Sequence, residues 1–468
     1  MKKAGFKKLF ILSLALCLTS KASIAFSQIR YTMEDLQQHM EENNPELLSL
    51  QEEYRRSRLD VHDAWGGLGP SVDLQFSGTY MFNPPVDALY LNVDELLNSI
   101  SWPSGVRPSS NGQYVKVYDG MEPTLYNFQL SITQPLFTWG KLTNAVILYT
   151  KISSIKKAQL ESKQQQMSTE LKTRLVTLWY LSKIREIIEE ESLYARRLVE
   201  VSEDAAKSGM LLEQDALDAR IQAKELDIAL QDLQEQLNNQ ILELRRSCGL
   251  ENLELEEIDF EFDEAEFDSL IASDRSVIEE KALSEDRNSI RMVSDLLEVN
   301  KLAEKIAKGA VNWKPDIAFQ ASLGYGGSRL PLFEPNYLRK DDYTVNLSIG
   351  IKTTIWDGGK KVRDVSRKIS ERKSAEINQQ DVKGEIRKTL NSNWNTIDVC
   401  NMKIDYQDLK ISSAESKISQ NELVFSTGYG SETDLLSSKI DCCNQKIEKL
   451  KLSLSRAVSC LTILYLAQ

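Results

Sequence analysis

Two aspartates in matched settings, Asp215 and Asp434, are the side chains whose type and spacing most suggest a chemical task. Asp215 follows the break Ser208-Gly209, and Asp434 follows Thr427-Gly428 at the same interval. Asp218 lies one turn beyond Asp215, whereas the matching position after Asp434 is Ser437. Carboxylates placed so can do two things. In the first turn of a helix, behind a cap such as Ser431, they are favoured by the backbone amides. Gathered from several copies of a chain, they would create a focused negative field. Catalysis has no comparable footing. The only histidines are His39 and His62, and His62-Asp63 has no nucleophile that the sequence can assign to it. Carboxylates are abundant, but nothing singles out a pair for acid–base work. Beyond the N-terminal region the cysteines are Cys248, Cys400, Cys442, Cys443 and Cys460, an odd number scattered over helical stretches without metal-ligand spacing. They read as buried or free thiols. The expectation is a protein that is not an enzyme and needs no cofactor or metal.

Around those residues lies an acidic chain of 468 residues with a formal charge of −12. Residues 1–27 carry five lysines and no acid, so a chain cut after Ser27 stands near −17. A nucleic-acid binder needs a basic footprint, and this surface offers none. Lys2, Lys3, Lys7 and Lys8, the apolar run Leu9 to Leu18 and the small residues around Ala25-Phe26-Ser27 read as a secretory signal over 1–27, cut before Gln28. Cys17 raises a lipoprotein cut, but Leu16 before it is too large for that pattern. Once the signal is removed no unbroken run of 18 apolar residues remains for a transmembrane helix. Any membrane span must then be made of strands.

The elements follow from periodicity. Leu36, Met40, Leu47, Leu50 and Tyr54 mark helix over 32–66, interrupted at Asn44-Pro45 and stopped by Gly66-Gly67-Leu68-Gly69-Pro70. Val72, Leu74, Phe76, Gly78 and Tyr80 alternate with polar residues, which predicts a strand over about 71–81. Residues 82–125 read as a long loop, with room for a short helix at Val86 to Ile100. A second strand follows over about 126–137. Apolar residues three and four apart then predict a coiled-coil-like helix from Lys141, a tip near Gly209 and a returning helix to Cys248, closed by Gly249. Residues 250–275 are strongly acidic, with alternation at Leu253, Leu255, Phe260 and Phe262 that suggests a short strand. A helix from about Ser276 to Lys308 comes next. Strands over about 316–325 and 343–355 and a second long hairpin over 360–468, with its tip near Gly428, complete the chain.

This is a duplication. Gly140 to Gly209 and Gly359 to Gly428 are both 69 residues, and tips, aspartates and Gly-Lys pairs share one offset of 219. The expected divisions are 28–249 for the first repeat, 250–275 for the acidic segment and 276–468 for the second repeat. An unbroken helix of 69 residues would be about 100 Å long, more than a compact globular domain needs.

Each repeat supplies two strands of the length that crosses a bilayer at a tilt. One face is apolar; the other carries Asp73, Gln75, Thr79, Gln129, Asn346 and Lys352. A soluble sandwich with one solvated face alternates in the same way, but the signal, the long helices and the loops favour lipid. Four strands cannot close a barrel, and open edges in lipid leave backbone groups unpaired at several kcal/mol each. Two chains would give eight strands and a filled interior; three would give twelve and an open lumen. The polar faces favour three.

The duplicated plan, with Leu136-Phe137-Thr138-Trp139-Gly140-Lys141 and Ile355-Trp356-Asp357-Gly358-Gly359-Lys360 at the two strand-to-helix passages, resembles the TolC family of outer-membrane efflux proteins. The resemblance implies an α+β membrane protein whose four strands form part of a trimeric twelve-stranded outer-membrane β-barrel, continued by a long α-helical coiled-coil tunnel. It also implies a passive channel of a tripartite efflux or secretion system in a Gram-negative bacterium, coupled to a periplasmic adaptor and an inner-membrane pump. Asp434, with Asp215 and Asp218, would then stand at a cation-selective channel entrance, although Ser437 departs from the family's second acid. Ser208, Gly209, Thr427 and Gly428 would be adaptor-docking tips. Trp139 and Trp356 fit either an interfacial aromatic belt or packing at the junction. A periplasmic coiled-coil adaptor or a structural outer-membrane protein is the alternative, and the cargo is not written in the chain.

Overall fold

Apolar residues spaced by three and four build helices that occupy most of the chain. The computed structural model describes residues 30–101, 111–259, 264–311, 314–328 and 343–467. The signal segment 1–27, with Phe260, Phe262 and Trp313, lies outside the described residues. In chain order the elements are α1 (Met33–Asn43), α2 (Pro45–Gly66), β1 (Ser71–Tyr80), β2 (Leu89–Asn92), α3 (Val93–Ser99), β3 (Tyr114–Tyr118), β4 (Thr124–Phe137), α4 (Lys141–Lys207) and α5 (Glu213–Cys248). They continue with a single 3₁₀ turn (Leu255–Glu257), α6 (Ala265–Ile271), α7 (Arg275–Ala282), α8 (Asn288–Val311), β5 (Asp316–Gly327), β6 (Tyr343–Lys352), α9 (Lys360–Ser426) and α10 (Glu432–Ala467). The chain divides into two units. The first comprises residues 1–52, 158–291 and 381–468, the second residues 53–157 and 292–380.

The first unit is helical and holds three apolar clusters. In the first, Leu233, Leu237, Ile241, Leu244 and Cys248 of α5 repeat at four, four, three and four residues, a coiled-coil seam. They meet Leu171, Leu175 and Leu178 of α4, and Leu36 and Met40 of α1. Local chemistry fixes the ends. Thr32 and Asp35 cap α1 reciprocally: the Asp35 amide donates to Thr32 Oγ1 at 3.2 Å and the Thr32 amide to Asp35 Oδ2 at 3.0 Å. Buried Asn44 accepts from the amides of Glu46 and Leu47 and donates to the Ser247 carbonyl at 3.3 Å, so the break before Pro45 is also a tether to α5. Gly249 sits at φ 69°, and a Cβ there would come within 2.7 Å of Asn43 Cβ. In the second cluster Ile386, Leu390, Trp394 and Ile397 of α9 pack with Ala457, Cys460, Leu461 and Ile463 of α10 and with Tyr180, Phe267 and Ile290. The third joins Ala195, Leu198, Ala219, Leu436 and Ile440.

Five expectations need correction, the last of them in the sheet. The acidic segment forms no strand among its described residues. It has the 3₁₀ turn and one parallel bridge, Tyr31 to Ile258, because Leu253 and Leu255 alternate by docking onto the first helical cluster, where Ile258 is also buried. The helix expected over 276–308 is two, α7 and α8, broken at residues 283–287, where the Arg287 amide closes a turn on the Ser284 carbonyl at 3.3 Å. The loop 82–125 contains a small hairpin, β2 with β3, around α3. Fourth, α10 is long and apolar enough to cross a membrane by length and composition, although it has no unbroken apolar run. Its Ala457, Cys460, Leu461 and Ile463 are instead buried in the second cluster.

The second unit is built on a four-stranded antiparallel sheet in the order β1-β4-β5-β6. β6 stops at Lys352, short of the expected Ile355. Its last pair is Asp316 with Lys352, and the next residue on β5's side is Pro315, which has no amide to continue the ladder.

Candidate functional site

Register gives the sheet its two faces. Directly paired residues of an antiparallel sheet share a face, so the pairings define rows across all four strands. One set reads Val72–Ile132–Ala321–Leu347, Leu74–Leu130–Leu323–Val345 and Phe76–Phe128–Tyr325–Tyr343. The intervening set reads Ser71–Thr133–Gln320–Ser348, Asp73–Ser131–Ser322–Asn346 and Gln75–Gln129–Gly324–Thr344. One face is therefore apolar and the other polar from edge to edge. β1 is exposed along its whole length and β6 almost so. Among the described residues, each of these edge strands pairs on one side only.

At the feet of the strands the backbone turns into the long helices through left-handed residues: Trp139 and Gly140 at φ 54° and 77°, Gly358 and Gly359 at 68° and 79°. Trp139 pays for its strained angle with contacts. Its Nε1 donates to the Pro315 carbonyl at 2.9 Å, Phe137 meets its ring edge-on and the Lys314 ammonium lies 5.0 Å from the ring centre. It packs at the junction. Trp356 is 84% exposed.

The tips are tight. At the first, the Gly209 amide donates to Ala206 O at 3.0 Å with Gly209 at φ 73°; at the second, the Gly428 amide donates to Phe425 O at 3.0 Å with Gly428 at φ 78°. Ser208 and Thr427 return their hydroxyls to carbonyls of the preceding turn. Met210, Leu212 and Tyr429, the last 92% exposed, surround the two turns. The three aspartates beyond them differ. Asp215 Oδ2 accepts the Leu212 amide at 3.4 Å and Asp218 Oδ1 accepts Gln214 Nε2 at 3.0 Å, so both have local partners. The exposed Asp434 carboxylate has no partner among the described residues. Ser431 Oγ takes the Thr433 amide at 3.1 Å, and Asn421 Nδ2 donates to the Asp434 carbonyl, not to its side chain.

Two features had no signal in the sequence. Arg197 of α4 donates to both oxygens of Glu432 in the first turn of α10, at 2.9 and 3.4 Å, and to Glu200 at 3.0 Å. The repeat counterpart of Arg197 is Ser416, so the tie is made once. Glu191 of α4 is 2% exposed with no hydrogen-bond partner for Oε2. Burial first, and then the Asp441 charge on α10, raise its carboxyl to about 7 against the lowering effect of Asn444. The five cysteines are free and buried. Burial pushes the Cys443 thiol up to about 12 and Cys460 to about 11, away from thiolate chemistry. Among the described residues no cluster could hold a metal ion.

The outer membrane efflux protein family model matches residues 36–250. The outer membrane protein VceC of Vibrio cholerae superposes with a TM-score of 0.71 at 15% identity over 93% of this chain and 96% of that one. The CmeC outer membrane channel of Campylobacter jejuni gives 0.70 at 14% over 93% and 85%. The MtrE outer membrane channel of Neisseria gonorrhoeae, in its open state, gives 0.66 at 13% over 93% and 88%. No curated protein matches the chain in sequence. The chain thus has the fold of these outer-membrane channels, and the outer membrane efflux protein family model matches it over residues 36–250.

Proposed function

We propose that this chain is one protomer of a passive homotrimeric outer-membrane duct that carries substrates from the periplasm to the outside. The observation that carries this is the sheet: apolar rows on one face, polar rows on the other, and two edges left unpaired by the chain itself. Edges exposed to lipid cost several kcal/mol per unpaired group, so copies must pair β6 with β1 of the next. Three copies give twelve strands with the polar rows lining an open lumen. Energy comes from an inner-membrane pump reached through a periplasmic adaptor, which docks at Ser208, Gly209, Thr427 and Gly428 beside exposed Met210, Leu212 and Tyr429.

At the periplasmic entrance, three Asp434 carboxylates free of local partners form the cation-selecting ring, with Asp215 and Asp218 adding to the same field. Purified, folded oligomer in planar bilayers should show discrete single-channel conductance; a folded oligomer that never conducts refutes the duct. Asp434→Asn should lower the cation preference measured from reversal potentials in a salt gradient. Unchanged selectivity would remove Asp434 from the entrance. Asp215→Asn should have the smaller effect, because that carboxylate also serves the Leu212 amide.

A further inference from the structure

The foot of the polar face carries charge of the opposite sign to the entrance. A cavity of about 330 Å³ opens there, lined among others by Lys141, Lys314, Lys352, Lys361, Asp316 and Asp357. Its two carboxylates are already engaged. Lys141 Nζ donates to both oxygens of Asp316, at 2.8 and 3.0 Å. Asp357 accepts the Gly359 and Lys361 amides, each at 2.9 Å, capping the start of α9. Among the described residues the ammonium groups of Lys314 and Lys352 have no carboxylate partner, and that of Lys361 acts on Asp357 through its charge without closing an ion pair. Lys314 is held beside the Trp139 ring, so one of the three has a fixed place. Lys352 pairs in register with Asp316 and continues the polar rows, which puts the cavity on the polar side of the sheet and away from its apolar face.

The three lysines without an ion pair all come from the second repeat. At the matching positions of the first repeat, Thr133 stands for Lys352 and Leu142 for Lys361, although Lys141 and Lys360 correspond. The departure is therefore specific to one junction in a chain that otherwise repeats itself.

We propose that this cavity is a binding site for multivalent anions of the phosphate class, solutes bearing several negative oxygens in transit through the duct. The assignment rests on the channel reading, which puts the polar rows on the lumen. An ammonium binds phosphate oxygens as a point charge without demanding a fixed approach, so three around one cavity suit a polyanion better than a single carboxylate. Repeated in each protomer, the site makes a positive collar that concentrates anions within a low-dielectric wall.

Inorganic triphosphate is the probe, with full-length oligomer in phosphatidylcholine bilayers, where no anionic lipid competes. Wild-type current carried by potassium chloride should fall as triphosphate is added. In Lys314→Gln/Lys352→Gln/Lys361→Gln the half-blocking concentration should rise about tenfold or more. The corresponding triple arginine variant should retain the block, which separates charge from structural damage. Equal half-blocking concentrations in wild type and glutamine variant overturn the proposal. Calorimetric titration of the detergent-held oligomer with triphosphate reads the site without conductance. Binding that is lost in the glutamine variant, from an oligomer that forms no pore, would leave the anion site standing and sink the channel reading. An absence of both binding and block overturns the site.

Discussion

Arginine in place of Leu347 should destabilise the membrane-inserted protein by about 2–4 kcal/mol, the cost of a basic side chain on the lipid face near the bilayer midplane. Leu347 is central in β6 and 71% exposed in the single chain, and its row continues through Ala321, Ile132 and Val72. In the proposed duct, lipid removes that row from water. The neighbouring Asn346 lies in the row of Ser322, Ser131 and Asp73, on the other face. Asn346→Arg should therefore assemble normally and alter conductance instead. Folding into lipid vesicles, followed by electrophoretic mobility with and without heating and by urea unfolding, measures the difference. Equal loss in both variants would mean that the two faces have been assigned wrongly or that neither meets lipid.

Those faces were legible in the sequence because a period of two survives any uncertainty about which strand pairs with which. The tips were legible for a different reason. Gly209 and Gly428 interrupt a three-and-four spacing and adopt positive φ angles that few other residues tolerate. Where periodicity continued across a break, or arose from another cause, the reading failed. Leu283 lies just past the end of α7 yet still packs against the second cluster, so the apolar spacing gave no sign of the break before α8. Leu253 and Leu255 alternate with acids as a strand would, yet Leu253 is buried in a cluster of helices and Leu255 packs against it. Pairings between distant residues were out of reach. The β4–β5 ladder joins the two repeats, and nothing in either strand names the other.

The candidate site divides along the same line. Residue type and duplicated spacing singled out Asp215 and Asp434 together, but only packing tells them apart. One serves an amide of its own first turn; the other has a side chain left for a partner or an ion. Arg197 was an ordinary charge on a coiled coil until Glu432, 235 residues away, came beside it. Glu191 was equally ordinary, one of several acids in an acidic stretch of α4, and only burial makes it distinctive.

That burial predicts a stability profile. An unfolded chain titrates Glu191 near 4.5, whereas the folded chain holds its proton up to about 7. Below pH 4.5 both states are protonated and the residue costs nothing. Between 4.5 and 7 the unfolded state loses its proton first, so the folded state is increasingly disfavoured; above 7 the penalty is full and constant. Its size is about 3 kcal/mol. The groups that face it strengthen the case. Asp441 and the uncharged Cys443 thiol lie on α10, Glu190 is its neighbour on α4, and none of them supplies a positive charge. Glu191→Gln removes the titration and keeps an amide able to meet Asn444. Wild type and variant should unfold alike at pH 4 and diverge as the pH rises, with the variant the more stable at pH 8. Denaturant unfolding followed by helix circular dichroism across that range is the measurement. Parallel profiles from pH 4 to 8 would show that Glu191 is charged or solvated in the folded protein, contrary to its packing between α4 and α10.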